Sequence, residues 1–253
     1  MLKILLSPAK SISKEPISYG TPSQPVLEMK TQKLVEILKE YTPKEFSSLM
    51  SISPVLADLN WSRYQNWKPL LDNSNIIQPA LAFTGEVYKG LDAASFSKAE
   101  WDRAQGSLRI LSGLYGILKP LDGISAYRLE MRTRLKVDPV SNNLYEYWKE
   151  DLLNSFIADL SKTDVIINLA SVEYSKVLDF KSISNLTVTP VFKDYKNGKL
   201  KTIMMYAKRA RGTMARYIIQ NDIQSLSDLK MSQIDGYVFA DELSDELNWV
   251  FTR

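Results

Sequence analysis

The chain has 253 residues, 45% of them apolar and 24% charged, with a formal net charge of +3, values ordinary for a globular protein with a sizeable core. It contains no Cys and no His, which removes disulfides, thiolate nucleophiles, iron–sulfur ligation, zinc ribbons, Ser-His-Asp and Cys-His triads and the facial triad of non-haem iron enzymes. Acid–base chemistry is left to Asp, Glu, Lys and Tyr. Affinity for polyanions must come from where the cations sit, because their sum is only mildly basic.

In chain order, LKILL at residues 2 to 6 is a short apolar run stopped by Ser7-Pro8, which predicts a buried strand. Pro8 and Lys10 end the run well short of a signal-peptide core or a spanning helix of about 20 residues, so a cytoplasmic protein without membrane contact is expected. A Pro/Ser-rich loop is expected through Pro25, then a helix over residues 26 to 41 with Leu27, Leu34, Val35 and Leu38 on its apolar side. Residues 43 to 110 predict several short helices, with starts at Thr42-Pro43, Ser53-Pro54 and Ser97.

The stretch EWDRAQGSLRILSGLYGILKPLD, residues 100 to 122, has a helix that would end near Ser112-Gly113, a glycine turn and an apolar continuation. This is the pattern of a helix-hairpin-helix, whose turn amides and second helix start hold a DNA phosphate without reading bases. Gly113 and Gly116 would form the turn, with Arg109 and Lys119 adding charge. A plain helix C-cap at Gly113 is the alternative.

YRLEMRTRLK, residues 127 to 136, sets Arg128, Arg132, Arg134 and Lys136 against Glu130 alone. It reads as strand or loop, either a charged protective edge or a phosphate contact. DVIINLAS, residues 164 to 171, predicts another buried strand, with Ser171 placed to cap a following helix. LTVTPVFKDY and KLKTIMMYA flank Asn197-Gly198, a strong hairpin signal. If the strands at 2 to 6 and 164 to 169 run parallel as neighbours, Ser7, Lys10, Asn168 and Ser171 share the sheet edge where open α/β sheets bind ligands.

YAKRARGTMARYI, residues 206 to 218, places Lys208, Arg209, Arg211 and Arg216 within nine positions free of acids. A rotation of about 100° per residue gathers Ala207, Ala210, Met214 and Ile218 on one arc and the cations on the other. Like charges without i, i+4 acids repel, and cations at a helix start oppose its dipole. A solvated face accounts for the run; a bound phosphate would also account for its cost. GYVF and NWVF, residues 236 to 239 and 248 to 251, predict a last strand pair. The acidic ADELSDELNW between them reads as a solvated face, without a calcium-loop spacing.

No composition shift marks a linker, so residues 1 to 253 are expected to form one mixed α/β unit: a central mixed sheet, flanking helices and the helix-hairpin-helix-like element. Neither metal nor cofactor is expected. For an enzyme the best constellation is Lys10, Glu130, Asn168 and Glu173, with a lysine as nucleophile or base and a glutamate as acid–base group. Each of these residues also serves as a structural ion-pair or hydrogen-bond partner.

Taken in order, SPAKS, LSGLYGILKPLD, YRLEMRTRL, INLASVEYSK and YAKRARGTMARYI resemble the motifs of the bacterial YaaA peroxide-stress family over nearly the whole chain. The resemblance implies a cytoplasmic protein of the hydrogen peroxide response, linked to lower intracellular iron and binding double-stranded DNA through a positively charged cleft and a helix-hairpin-helix, on an unusual mixed α/β fold. No protein partner is implied. The hairpin element would fall around Leu111 to Leu121 and the cleft on Lys10, Arg128, Arg132, Lys208, Arg209, Arg211 and Arg216. An enzyme acting on a nucleotide or nucleobase in the same cleft is the alternative.

Overall fold

A computed structural model describes residues 1–13, 17–72 and 75–253 of the chain. Residues 14–16, part of the expected Pro/Ser-rich loop, lie outside the described residues. The centre is a mixed sheet that begins with β1 (Leu2–Leu6), all five residues of which are buried. That follows from parallel neighbours on both sides, which leave no face for water. A two-residue strand β2 (Ser11–Ile12) follows the SPAK loop.

Helices then fill the chain: α1 (Glu28–Lys39), α2 (Pro43–Met50) and α3 (Pro54–Gln65). The expected starts hold: Thr42 and Ser53 each accept a bond from the backbone three residues on, and both first turns carry proline. A short α4 (Pro79–Ala82) leads into β3 (Phe83–Thr84), which pairs with β2. Next come α5 (Glu86–Leu91) and α6 (Lys98–Ser107), the latter begun by a reciprocal capping box between Ser97 and Glu100.

Residues 108 to 118 correct the expectation of a helix-hairpin-helix there. They form β4 (Leu108–Ser112) and β5 (Gly116–Leu118), an antiparallel hairpin with Ile110 opposite Leu118 and Ser112 opposite Gly116. LRILS and GIL are short, largely apolar segments, too short for periodicity to tell a buried strand from a helix. Here the open edge of β1 takes β4 in parallel register, with Ile4 beside Leu108. The described residues do hold a two-helix hairpin elsewhere, where α2 and α3 are joined by residues 51 to 53 and Ser51 adopts the left-handed conformation at φ 51°.

The long helix α7 (Leu144–Ala158) crosses to β6 (Val165–Asn168), which lies parallel to β1 on its other side as expected. A single turn, α8 (Val172–Ser175), precedes β7 (Thr187–Lys196). Asn197 and Gly198, both at positive φ, turn the chain into β8 (Lys199–Lys201), so the expected hairpin forms. Its second arm is shorter than expected, because the chain becomes helical at α9 (Met204–Gln220). A short α10 (Leu226–Lys230) precedes β9 (Val238–Phe239) and β10 (Asn248–Thr252), the expected final pair, and β10 also runs parallel to β7. The sheet order is therefore β5-β4-β1-β6-β7-β10-β9, with β8 on the end of β7.

The helix α9 lies almost in backbone contact with α5. A Cβ on Gly212 would stand 1.8 Å from the Val87 carbonyl oxygen, and one on Gly90 would stand 2.3 Å from that of Arg209. Only glycine at both positions allows the crossing. It fixes the first half of α9 beside the segment from β3 to α5. No helix among the described residues is long and apolar enough to cross a membrane.

Candidate functional site

The parallel strands β1 and β6 end side by side, and the loops leaving them meet. Ser171 donates its N–H to the Ser7 hydroxyl at 2.8 Å, and the two hydroxyls lie 3.2 Å apart. Ser171 thus takes the N-cap position of α8, but its side chain joins the loops and makes no cap bond. The Tyr88 hydroxyl, from α5, donates to the Ser7 carbonyl at 3.0 Å and ties a third segment to the same edge.

Lys10 follows in this loop, and its ammonium stands 2.8 Å from Glu130 Oε2. Arg132 Nε lies 3.1 Å from the same oxygen, and Arg128 donates to Oε1 at 3.1 Å. One carboxylate thus holds three cations. Burial works against the Glu130 charge, yet Lys10, Arg132 and Arg128 together hold its carboxyl below its ordinary value. The buried Nε of Arg128 has no acceptor among the described residues. Lys10 and Arg132 remain more than half exposed, so the cluster turns its excess positive charge outward.

Beyond Arg132 the chain is extended without joining a sheet, and burial alternates: Met131, Thr133, Leu135 and Val137 point in while Arg132, Arg134 and Lys136 are exposed. A turn, in which Thr133 N–H donates to the Glu130 carbonyl, precedes this regular run. Arg134 and Lys136 extend the basic row beyond the cations assigned from the family resemblance.

The other basic segment reaches the same edge. Ser11, next to Lys10, pairs with Thr84, and two residues later Glu86 opens α5. Lys89 and, to a lesser degree, Arg209 hold the Glu86 carboxyl below its ordinary value, which puts Arg209 in electrostatic reach of that turn. Lys208 and Arg209 are exposed and make no ion pair among the described residues. Their helix, which begins four residues before Lys208 at Met204, has no side-chain cap and no acid in its first turn.

The four cations of α9 do not act alike. Arg211 is half-buried, four residues from each of the buried Ala207 and Ala215, and burial pushes its guanidinium down from its ordinary value with no carboxylate near it. Arg216 faces α5, where it donates to the Asp92 carboxylate at 2.8 Å and to the Asp92 carbonyl at 2.9 Å. It closes the C-terminal end of α5 and is not part of the basic face.

Several expected site residues lie elsewhere. Arg109 is 4% exposed, and all five of its N–H groups are engaged: two with Asp159 and the others with the carbonyls of Gln105, Leu108 and Gly106. Gly113 is buried, and a Cβ there would stand 2.3 Å from the Leu129 carbonyl oxygen. Gly116, at φ 70°, is wedged between Leu27 and Trp148. These glycines serve tight packing around the β4–β5 hairpin and present no phosphate-binding turn. Lys119 is exposed, but beside Asp122 at the mouth of a different cavity.

Of the enzyme constellation, Lys10 and Glu130 meet. Glu173 accepts a long 3.4 Å bond from the Arg132 N–H at the margin of the cluster. The Asn168 amide is turned inward, with its oxygen accepting from the Ala170 N–H and its nitrogen donating to Thr189. Its task is to shape the turn after β6.

Comparison with known proteins agrees with this arrangement of motifs. The family model described as peroxide stress protein YaaA matches residues 2–243. A UPF0246 protein of Clostridium beijerinckii is 44% identical over 257 residues, covering all of this chain and 98% of its own. One from Flavobacterium johnsoniae is 45% identical over 255 residues with both chains fully covered, and one from Ralstonia pickettii is 46% identical over 254 residues, covering 99% and 98%. The chain therefore belongs to the YaaA peroxide stress family.

Proposed function

We propose that this chain binds double-stranded DNA through its phosphates, along the face that carries Lys10, Arg128, Arg132, Lys208 and Arg209. Binding there would serve the peroxide stress response by shielding the duplex from iron-dependent oxidation. The observation that carries the reading is the single Glu130 carboxylate shared by three cations, which leaves positive charge uncompensated at the C-terminal edge of a sheet. Arginine predominates, and its planar fork suits phosphate oxygens.

The two-helix hairpin α2–α3 is a second contact in this reading. Its exposed turn at Ser51 leads into the positive end of α3. The Tyr64 hydroxyl, near the other end of α3, donates to the Arg128 carbonyl at 3.0 Å. Ten residues of helix separate Tyr64 from Pro54, about 15 Å at 1.5 Å per residue. The reading requires that one duplex touch both places.

Binding of this kind is largely indifferent to base sequence, because phosphate contacts position a protein without reading base edges. Fluorescence anisotropy of a labelled duplex over a range of salt concentrations tests it. With about four phosphates neutralised, log K falls against log salt with a slope near −3.6. Absence of duplex binding even at about 50 mM salt, where phosphate contacts are strongest, rejects the proposal.

A second reading, chemistry on a nucleotide or nucleobase in the same place, draws on the contact between Lys10 and Glu130. There the ionised Glu130 would hold Lys10 in place for the substrate, since the three cations that lower its carboxyl also make it a weak base. Lys10→Ala separates the readings. Unchanged duplex affinity with lost protection from peroxide favours chemistry, and protection lost in step with affinity favours binding alone.

A further inference from the structure

A cavity of about 660 Å³ lies away from the basic face, in the size range of small-molecule sites. It opens between the start of α1 and the end of α7, with Ile117 and Leu118 of the edge strand β5 among its walls. Pro25, Val26, Leu27 and Met29 form an apolar rim, and Val26 and Met29 are 66% and 84% exposed. Exposed apolar side chains at a cavity mouth mark a place where an apolar body can be covered.

The polar groups in the wall fall into two classes. Arg109 offers nothing to a ligand, since each of its five N–H groups already has an acceptor in the protein. Lys30 is engaged with Asp151 and sits over the Tyr147 ring. What remains fixed in place accepts hydrogen bonds. Asp122 takes one bond on each oxygen, from the Ser23 hydroxyl at 2.6 Å and the Lys119 N–H at 2.8 Å, and Glu28 takes one on each from Gln24 and Leu70. Each carboxylate keeps unfilled acceptor capacity. Neither makes an ion pair among the described residues. The last turn of α7 carries no basic residue, so the negative end of its dipole lies at the same place.

We propose that this cavity binds a small amphiphilic amine: an apolar body against Val26, Met29, Ile117 and Leu118, and a protonated amino group directed at Asp122 and Glu28. An anionic ligand would find few free donors there, the Ser155 hydroxyl on the wall and the mobile ammonium of Lys119 at the rim. This site and the basic face occupy different parts of the sheet, so an amine in the cavity and a duplex on the face do not exclude one another.

The site is also sensitive to pH. The charged groups that face the cavity are Glu28 and Lys30 of α1, Arg109 of β4, Lys119 and Asp122 after β5, and Asp159 of α7. Burial pushes the Asp122 carboxyl up to about 6, against the pull of Ser23, Lys119 and Arg109. Below that value Asp122 is neutral and attracts an amine less.

The test is methyl NMR on methionine-labelled protein titrated with 4-phenylbutylamine, with 4-phenylbutan-1-ol as the uncharged probe of the same body. The expected result is a saturable shift of the Met29 methyl signal with the amine, and binding of the alcohol weaker by about tenfold or more, as suits loss of a charge-assisted hydrogen bond. Amine affinity is expected to fall as pH drops through about 6, while that of the alcohol stays level. Asp122→Asn should remove the preference for the amine, and Ser155→Trp, which fills the cavity from the surface of α7 and leaves Asp122 in place, should abolish both titrations. If Asp122→Asn does not fold, the Ser155→Trp result together with the pH profile decides. Equal affinity for amine and alcohol, no saturable Met29 shift at millimolar probe, or a shift that persists in Ser155→Trp overturns the proposal.

Discussion

Arg109 and Arg132 carry the same guanidinium to opposite ends. Arg109 points from β4 into the protein and gives both arms to Asp159, with three backbone carbonyls completing its shell. Arg132, on an extended segment outside the sheet, shares Glu130 with Lys10 and Arg128 and stays 66% exposed. The first holds the fold together, and the second leaves a field outside it. A basic residue becomes part of an interface only where carboxylates run short, and that depends on which distant acid the fold brings near.

The largest effect expected from this contrast is on stability. Arg109→Ala removes one partner of a buried ion pair and leaves Asp159 and Lys3 to rearrange, at a cost of about 3–5 kcal/mol. Urea unfolding measures it, and protein that remains folded should bind duplex like the wild type. A loss below about 1 kcal/mol would contradict its part in holding the fold, and a change in salt slope would place Arg109 in the interface after all.

Gly212→Ala comes next. The added methyl meets the Val87 carbonyl and pushes α9 off α5, costing about 3 kcal/mol by overpacking. Because that crossing holds Arg209 beside the turn after Thr84, duplex affinity should fall together with thermal stability. Affinity that survives a lowered Tm would show that the two basic segments act independently.

A third effect concerns pH and the cavity side of the molecule. The Asp122 carboxyl titrates at about 6 in the folded protein and near 3.9 when unfolded, so between those values the folded state holds the extra proton. Its contribution to stability is therefore greatest below about pH 4 and declines as pH rises through about 6, by up to about 2 to 3 kcal/mol. Asp122→Asn should flatten that part of the stability profile relative to wild type. An unchanged profile would mean that the carboxyl is better solvated than its 2% exposure suggests.

The smallest stability effect belongs to Arg132→Ala, an exposed partner worth less than about 1 kcal/mol. Its main consequence is expected in duplex binding.

Local chemistry made much of this fold legible. Thr42, Ser53 and Ser97 announce helix starts because each side chain satisfies an amide that the helix leaves open. Asn197-Gly198 announces a turn because both positions need positive φ. LKILL and VIIN read as buried strands and pair in parallel, which brings the SPAK loop to Ser171. The β4–β5 hairpin was not legible, since segments as short as LRILS and GIL fit either period and the deciding partner, β1, lies about a hundred positions away.

The site divides in the same way. The cations of α9 were visible as a group, but their separate fates depend on tertiary neighbours: Asp92 neutralises Arg216, whereas Lys208 and Arg209 have no such acid among the described residues. Arg211 could have been set apart earlier, since its spacing of four from Ala207 and from Ala215 turns it towards the apolar arc. The loss of Arg109 from the site could not be foreseen, because nothing local points to Asp159, fifty residues on. Cavity walls drawn from four separate helices and strands leave no sequence signature at all.

The most direct measurement is the salt dependence of duplex binding by the combined variant Arg132→Gln, Lys208→Gln, Arg209→Gln, compared with wild type and with Lys119→Gln. If those three side chains each neutralise a phosphate, the slope of log K against log salt becomes shallower by about 2.7 in the triple variant and does not change in Lys119→Gln. A triple variant that folds normally and keeps the wild-type slope would contradict the assignment of this face to DNA.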